Sequence, residues 1–203
     1  MKRVYFILSF LACTVSTFAQ SDEINISASF AQSIALTVYD GANITFEFNS
    51  LEKYQSGLSG SSKFQVSSST SFNVDMSFTP FVNADGDEID LKNLEFSLAA
   101  TGSTNTPAGQ GDKWNFGTGN ITSRNLPGVQ RNYATLEPRT VVLAGPSGNA
   151  GSTDENDFIV YFDFGVPTWL NSAEIGLPTL LEQNIAPGTY TCTVTLEAIP
   201  VIL

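Results

Sequence analysis

The chain has 203 residues, a formal net charge of −11 and no histidine. The missing imidazole removes Ser-His-Asp and Cys-His catalysis and takes the usual ligand from any zinc site. The acidic balance excludes nucleic acid as a partner and disfavours electrostatic attachment to anionic lipid, because both need clustered Lys and Arg.

The first residues read as an address. Lys2 and Arg3 precede an apolar run over residues 4–12, and Thr17-Phe18-Ala19 sets small residues where a signal peptidase reads. This order predicts a signal peptide over residues 1–19, cleaved before Gln20. Acylation at Cys13 is the alternative, but Phe10 stands where a lipobox carries Leu. No apolar run approaches the roughly 20 residues that a membrane span needs. The expectation is a secreted protein, extracellular or at the cell surface with the periplasm as the alternative, folded as one domain over residues 20–203. Cys192 is then the one remaining thiol, so no intrachain disulfide forms.

Period-two alternation dominates from Ile24 onward. Ile24, Ile26, Ala28 and Phe30 alternate with polar residues, and Ile34–Val38 continues the pattern beyond Gln32. Asp40-Gly41 signals a turn before Ile44, Phe46 and Phe48, which predict another strand. Residues 56–62 are rich in Gly and Ser and predict a loop, with a strand resuming at Phe64 and Val66. Phe72, Val74, Met76 and Phe78 form the clearest strand of the first half. Asp85-Gly86 turns the chain back into Ile89 and Leu91, then Leu94, Phe96 and Leu98.

Residues 101–132 change character: they are Gly-rich and almost without alternation apart from Trp114 and Phe116, which predicts a long functional loop or covering flap. Strands resume at residues 140–143 and 158–164, and a short helical turn is expected over residues 172–181. Pro187-Gly188 introduces the last strand, whose Tyr190, Cys192, Val194, Leu196 and Ala198 share one face. Alternation of this kind gives strands with one buried and one wet face. The predicted fold is all-β: an antiparallel β-sandwich, Ig-like or pilin-like, with one long Gly-rich loop insertion. The last strand is expected to be central, with Val194, Leu196 and an inert Cys192 in the core.

Chemistry is sparse. There is no G-x-S-x-G elbow and no Walker loop. Acidic residues such as Asp75 and Glu95 sit at outward strand positions, which speaks against a carboxylate pair for glycoside hydrolysis. The hairpin at residues 83–90, with Asp85, Asp87, Glu88 and Asp90, resembles a calcium loop in its clustered oxygens but lacks EF-hand spacing. A plain hairpin with polar residues facing water explains the same letters. Asp154-Glu155-Asn156-Asp157 reads the same way. Asn25, Asn43 and Asn120 open sequons, the first two in predicted strands. Trp114, Trp169 and Tyr133 are candidates for a sugar-stacking platform or for the core. No catalytic residue, cofactor or metal ligand is assigned.

Several segments together carry a resemblance. The strand Phe72-Asn73-Val74-Asp75-Met76, with Leu94-Glu95-Phe96 after its turns, is similar to the central hairpin of a group of secreted bacterial β-sandwich domains. That group includes WxL-type, spore-coat-U-like and pilin-like surface domains. The ending Pro187-Gly188-Thr189-Tyr190 and the Thr-rich strand after it resemble their closing strand, and residues 24–48 their opening strands. The paired W-x-L motifs are missing, with only Trp169-Leu170 present, so peptidoglycan attachment is not implied. The resemblance implies an immunoglobulin-like sandwich used in surface structure or adhesion, without catalysis.

The functional expectation is a non-enzymatic secreted or cell-surface structural or adhesive protein, a subunit of a surface assembly, whose partner is protein (itself or another surface protein). Glycan is the secondary partner, and the alternative is a carbohydrate- or calcium-dependent extracellular binding module. Residues 22–30 admit two readings: the first strand of the domain, or a strand donated to a neighbouring subunit.

Overall fold

Strands that bury one face have to be covered by another layer, and here two antiparallel sheets cover each other. The computed structural model describes residues 31–102, 113–115, 132–165 and 179–201. In chain order the elements are β1 (Ile34–Asp40), α1 (Leu51–Ser56), β2 (Leu58–Ser68), β3 (Phe72–Phe78), β4 (Phe81–Val82) and β5 (Glu88–Ile89). A 3-10 turn (Leu91–Asn93) precedes β6 (Leu94–Ala100), β7 (Trp114–Asn115), β8 (Asn132–Tyr133), β9 (Arg139–Ala144), β10 (Asp157–Phe164) and β11 (Val194–Pro200). All of them belong to the compact unit Gln32–Leu203.

One sheet has five strands in the order β1-β2-β10-β6-β8, and the other has four in the order β11-β3-β9-β7; β4 and β5 form a separate hairpin. Each of these strand pairs runs antiparallel. The fold is an all-β sandwich.

The inner faces obey the alternation. Phe72, Val74, Met76 and Phe78 of β3 are buried, and so are Leu94, Phe96 and Leu98 of β6 and Phe158, Val160, Phe162 and Phe164 of β10. Phe64 and Phe158 are cross-strand partners with ring centroids 5.1 Å apart. Phe78 and Phe96 meet at 5.5 Å from opposite sheets and interlock the two layers. At the turn before β3, Asn149 is fully buried and substitutes for a strand partner. Its Oδ1 accepts from the Phe72 N–H at 2.8 Å, and its Nδ2 donates to the Phe72 carbonyl at 2.9 Å.

Several expectations need correction. Residues 56–62 are not a loop: Ser59, Gly60, Ser61 and Ser62 pair with β10 inside β2. The missing side chain at Gly60 has a packing reason, since a Cβ there would lie 2.6 Å from Ile44 Cγ2. Ile44, Phe46 and Phe48 do alternate in burial but join no sheet. They lie over Gly60 and Phe164 instead, with Phe46 and Phe48 rings 5.5 and 5.4 Å from Phe164. Asn43 therefore lies in an exposed turn and not in a strand. The short helix α1, capped by the Ser50 side chain, has no counterpart among the sequence-based expectations.

The last strand begins at Val194 and, among the described residues, is an edge strand paired with β3 alone. Val194 is exposed and Leu196 half-buried, so neither sits in a closed core. From residues 101–132 come two short strands, β7 on one sheet and β8 on the other; most of that stretch lies outside the described residues. So do the signal peptide expected over residues 1–19, the alternating segment 24–30, Asn120, Trp169 and most of the helical turn expected over 172–181.

The difference between closed core and edge is measurable. Leu98→Ala, at a fully buried site, is expected to cost about 2–5 kcal/mol. Val194→Ala is expected to cost about 1 kcal/mol or less, because its side chain is already partly in water. Urea denaturation of both variants checks the ranking; equal losses would place β11 in the interior.

Candidate functional site

The strand order leaves two edges side by side. Among the described residues β1 is paired with β2 alone and β11 with β3 alone, and the two strands are neighbours across the sheets. Ile34, Leu36 and Val38 stand opposite Ser68, Val66 and Phe64, so they face inward. Val194, Leu196 and Ala198 stand opposite Phe78, Met76 and Val74, so they face inward as well.

Their partners in β2 and β3 are almost wholly buried, yet Val38 is 38% exposed and Val194 37% exposed. Ile34, Leu36, Leu196 and Ala198 are half-buried and packed on the core. The core thus reaches the surface along a seam where two apolar rows, each of period two, meet at neighbouring strand edges. Such a seam offers backbone donors and acceptors on its walls and slots for alternate side chains, which are the two things an added strand uses.

Both ends of β1 are tied down. At one end, Ser33 N–H donates to Ser69 Oγ at 2.9 Å, Ser69 N–H donates to the Ser33 carbonyl at 2.9 Å, and Gln32 Nε2 donates to Thr70 Oγ1 at 3.1 Å. At the other, the register slips between Val38 and Asp40, and a bulge of this kind terminates regular pairing. Lys63 Nζ lies 3.3 Å from Asp40 Oδ2. Tyr39, freed from the ladder, donates its hydroxyl to Asp157 Oδ1 at 2.7 Å. That hydrogen bond to a carboxylate requires the phenol proton, and with burial and the negative charges of Asp157 and Asp40 it pushes the Tyr39 phenol up to about 12.

The other candidates divide. In the hairpin at residues 83–90, Asn83 Oδ1 accepts from the N–H groups of Asp85 (3.0 Å) and Asp87 (2.7 Å), and Asn83 Nδ2 donates to Asp87 Oδ2 at 2.9 Å. Gly86 supplies the left-handed residue at φ +87°. The polar letters close the turn. In the second cluster Asp157 receives Tyr39, while Glu155 accepts from Ser152 N–H at 3.0 Å and lies 3.4 Å from Lys113. The Ser152 amide, helped by Lys113, holds the Glu155 carboxyl below its ordinary range. Among the described residues no group of three or more His, Cys, Asp or Glu converges to hold a metal.

Among the described residues Trp114 lies on β7, at the edge of one sheet, and Tyr133 on β8, at the edge of the other. Trp169 lies outside the described residues. Cys192 is half-buried against the core, its Sγ donating to the Thr79 carbonyl at 3.0 Å, and burial pushes its thiol up, away from the reactive thiolate.

One arrangement escapes any reading of the sequence. Glu95 and Asp163 stand directly opposite on β6 and β10, on the outer face of the five-stranded sheet, yet are only 5% and 2% exposed. The Ser59 hydroxyl donates to Asp163. Outward parity is readable in the sequence, but the burial of that face is not. The depression beside Ser59, about 260 Å³ and lined by Thr45, Phe46, Glu47, Lys53 and Leu58, is open to solvent.

No protein-family model matches the chain, and no curated protein matches it. Among solved structures, the chain is similar to a family 123 glycoside hydrolase from Clostridium perfringens, studied for glycolipid glycan hydrolysis. The TM-score is 0.36 at 14% identity, over 84% of this chain and 25% of that one. The chain spans about a quarter of that enzyme's length. A likeness this low carries no inference about activity.

The Tyr39 contact gives a pH prediction. Its folded pKa lies above the ordinary phenol value, so the contact stabilises the fold fully below pH 10 and is lost as pH rises from 10 towards about 12. The ultraviolet titration of wild type minus that of Tyr39→Phe is expected to show one step near pH 12. A step near pH 10 would contradict the Asp157 bond.

Proposed function

We propose that this is a non-enzymatic structural or adhesive protein of an extracellular or cell-surface setting, a subunit of a surface assembly. It works by accepting an extended protein segment as an added strand along the edge of β1 or β11, in an Ig-like or pilin-like sandwich. The observation that carries this reading is the exposed apolar side of the core: among the described residues β1 and β11 are each paired on one side alone, and Val38 and Val194 on their inward rows stay more than a third exposed. Native sheets normally blunt such edges with charge, proline or cover. Here the inward residues of both edges are apolar and only Pro200 and the bulge at Tyr39 interrupt them. Exposed apolar surface flanked by free backbone groups marks an interaction site.

Export rests on the leader over residues 1–19, and no helix among the described residues is long and apolar enough to cross a membrane. The rival reading is a calcium- or carbohydrate-dependent module; the bonds between Asn83 and Asp87 within the acidic turn are those of an ordinary hairpin and give it no added support.

Sedimentation of the chain from Gln20 onward is expected to show concentration-dependent assembly. The double variant Val38→Lys/Val194→Lys is expected to stay folded by circular dichroism and to sediment as a monomer, because lysine at an edge opposes pairing. A wild-type monomer at every concentration, with calcium heat that vanishes in Asp85→Asn/Asp87→Asn, would favour the module instead.

A further inference from the structure

We infer that the strand docking on this protein is β1 of a second copy, the two copies being related by a two-fold axis at Leu36. The inference rests on the strand-acceptor function and names both the edge used and its occupant. β1 stays in its own sheet throughout, and no segment passes from one copy to the other.

The hydrogen bonds around β1 decide which backbone groups are free. Along an antiparallel pair, residues turn their backbone groups towards the partner strand and away from it in alternation. Ser69 N–H donates to the Ser33 carbonyl at 2.9 Å, so Ser33, Ala35 and Thr37 turn towards β2. The far side of β2 agrees. Ser68 and Val66 stand opposite Ile34 and Leu36, and both turn away from β1: Ser68 exchanges its two backbone bonds with Gly151, and Val66 N–H donates to the Asn156 carbonyl at 2.9 Å. Ile34, Leu36 and Val38 therefore present their N–H and carbonyl groups to the free edge, beyond which no described strand lies.

This edge is self-complementary. With Leu36 opposite Leu36 of an antiparallel second copy, Ile34 meets Val38 and Val38 meets Ile34. Every one of these pairs is of the bonding kind, which gives about six hydrogen bonds; a slide of two residues either way leaves about four. A slide of one residue would set the apolar row against the outward one. In the centred register the rows Ile34-Leu36-Val38 of both copies share one face, and Ala35 meets Thr37 on the other. No charge intrudes, since residues 32–39 carry none and Asp40, 3.3 Å from Lys63, lies beyond the bulge.

β11 is the poorer edge. Thr79 N–H donates to the Thr193 carbonyl and Val201 N–H to the Ser71 carbonyl, so Val194, Leu196, Ala198 and Pro200 are turned to its free side. Pro200 has no N–H to give, and Glu197 puts a charge on the outer row; proline and charge are what blunt an edge. A two-fold contact through β1 closes at two copies and joins their five-stranded sheets into one.

The test sets the two edges against each other. Thr37 on β1 and Thr195 on β11 are both exposed and outward. Sedimentation of the chain from Gln20 onward is expected to show a dimer that dissociates on dilution. Thr37→Lys is expected to be a monomer, folded by circular dichroism, and Thr195→Lys to dimerise as wild type does. As the dimer forms, the amides of Ile34, Leu36 and Val38 are expected to gain protection from exchange, while those of Val194, Leu196 and Ala198 do not. The register is tested with Ala35→Cys and Thr37→Cys, each with Cys192→Ala. Mixed and oxidised, they are expected to link as a heterodimer, because these positions face each other with Cα atoms about 4.5 Å apart. Either variant alone is expected to link poorly, since like positions stand a diagonal apart.

If Thr195→Lys is monomeric and Thr37→Lys still dimerises, β11 is the edge in use, and the inference falls while the strand-acceptor function stands. If wild type dimerises but the cysteines do not link, or if it is monomeric at every concentration, the inference is overturned. If an assembly forms in which neither edge gains protection, strand acceptance falls with it.

Discussion

Everything in this molecule depends on the burial of two apolar sheet faces against each other. Phe78 against Phe96 joins the sheets across the middle, and Phe64 against Phe158 extends the same layer within the five-stranded sheet. Burying a side chain of this size contributes on the order of 1.5–3 kcal/mol, and the set is large enough to carry a fold without disulfide or metal. The aromatic rings also account for the local exceptions. The extended arm at Ile44, Phe46 and Phe48 abandons sheet pairing to cover Gly60 and Phe164, because filling that end of the core outweighs a few ladder bonds on an exposed arm.

The same constraint produces the functional candidate. Two sheets packed face to face close the core above and below but not at the sides. On one side the chain adds β7 and β8 beyond β9 and β6. On the other side, among the described residues, no strand lies beyond β1 or β11, and the inward residues Val38 and Val194 stay more than a third exposed. A core of this shape is satisfied by one more strand. Under the proposed function, specificity would come from the spacing of apolar residues on the incoming segment.

Locality decides how much of this is legible in the sequence. Alternation is a property of neighbouring residues, so β3, β6, β10 and the inward positions of β1 and β11 can be read directly. Which strand pairs with which is non-local. Leu98 in a central strand and Val194 at an edge therefore look alike, and alternation alone sets the last strand too deep. Gly60 resembles loop because a missing side chain suggests flexibility, whereas the structure shows a close approach by Ile44. Cys192 has inward parity but lies near the open side, which leaves it half-buried.

Polar residues are the least legible. Asn149 bonds both polar groups of the Phe72 backbone, 77 positions away in sequence, and Glu95 faces Asp163 across two strands far apart in the chain. The seam itself is visible only in part: its walls alternate, but its openness depends on which strands stand beside them. Amide hydrogen exchange on a monomeric version of the chain lacking residues 20–30 tests this openness most directly. Strands β2, β3 and β10 are paired on both sides, so their amides are predicted to exchange only on global unfolding. In β1 and β11 every second amide, the one turned away from β2 or β3, is predicted to exchange without protection. Uninterrupted protection along β11, equal to that of β10, would contradict an open seam.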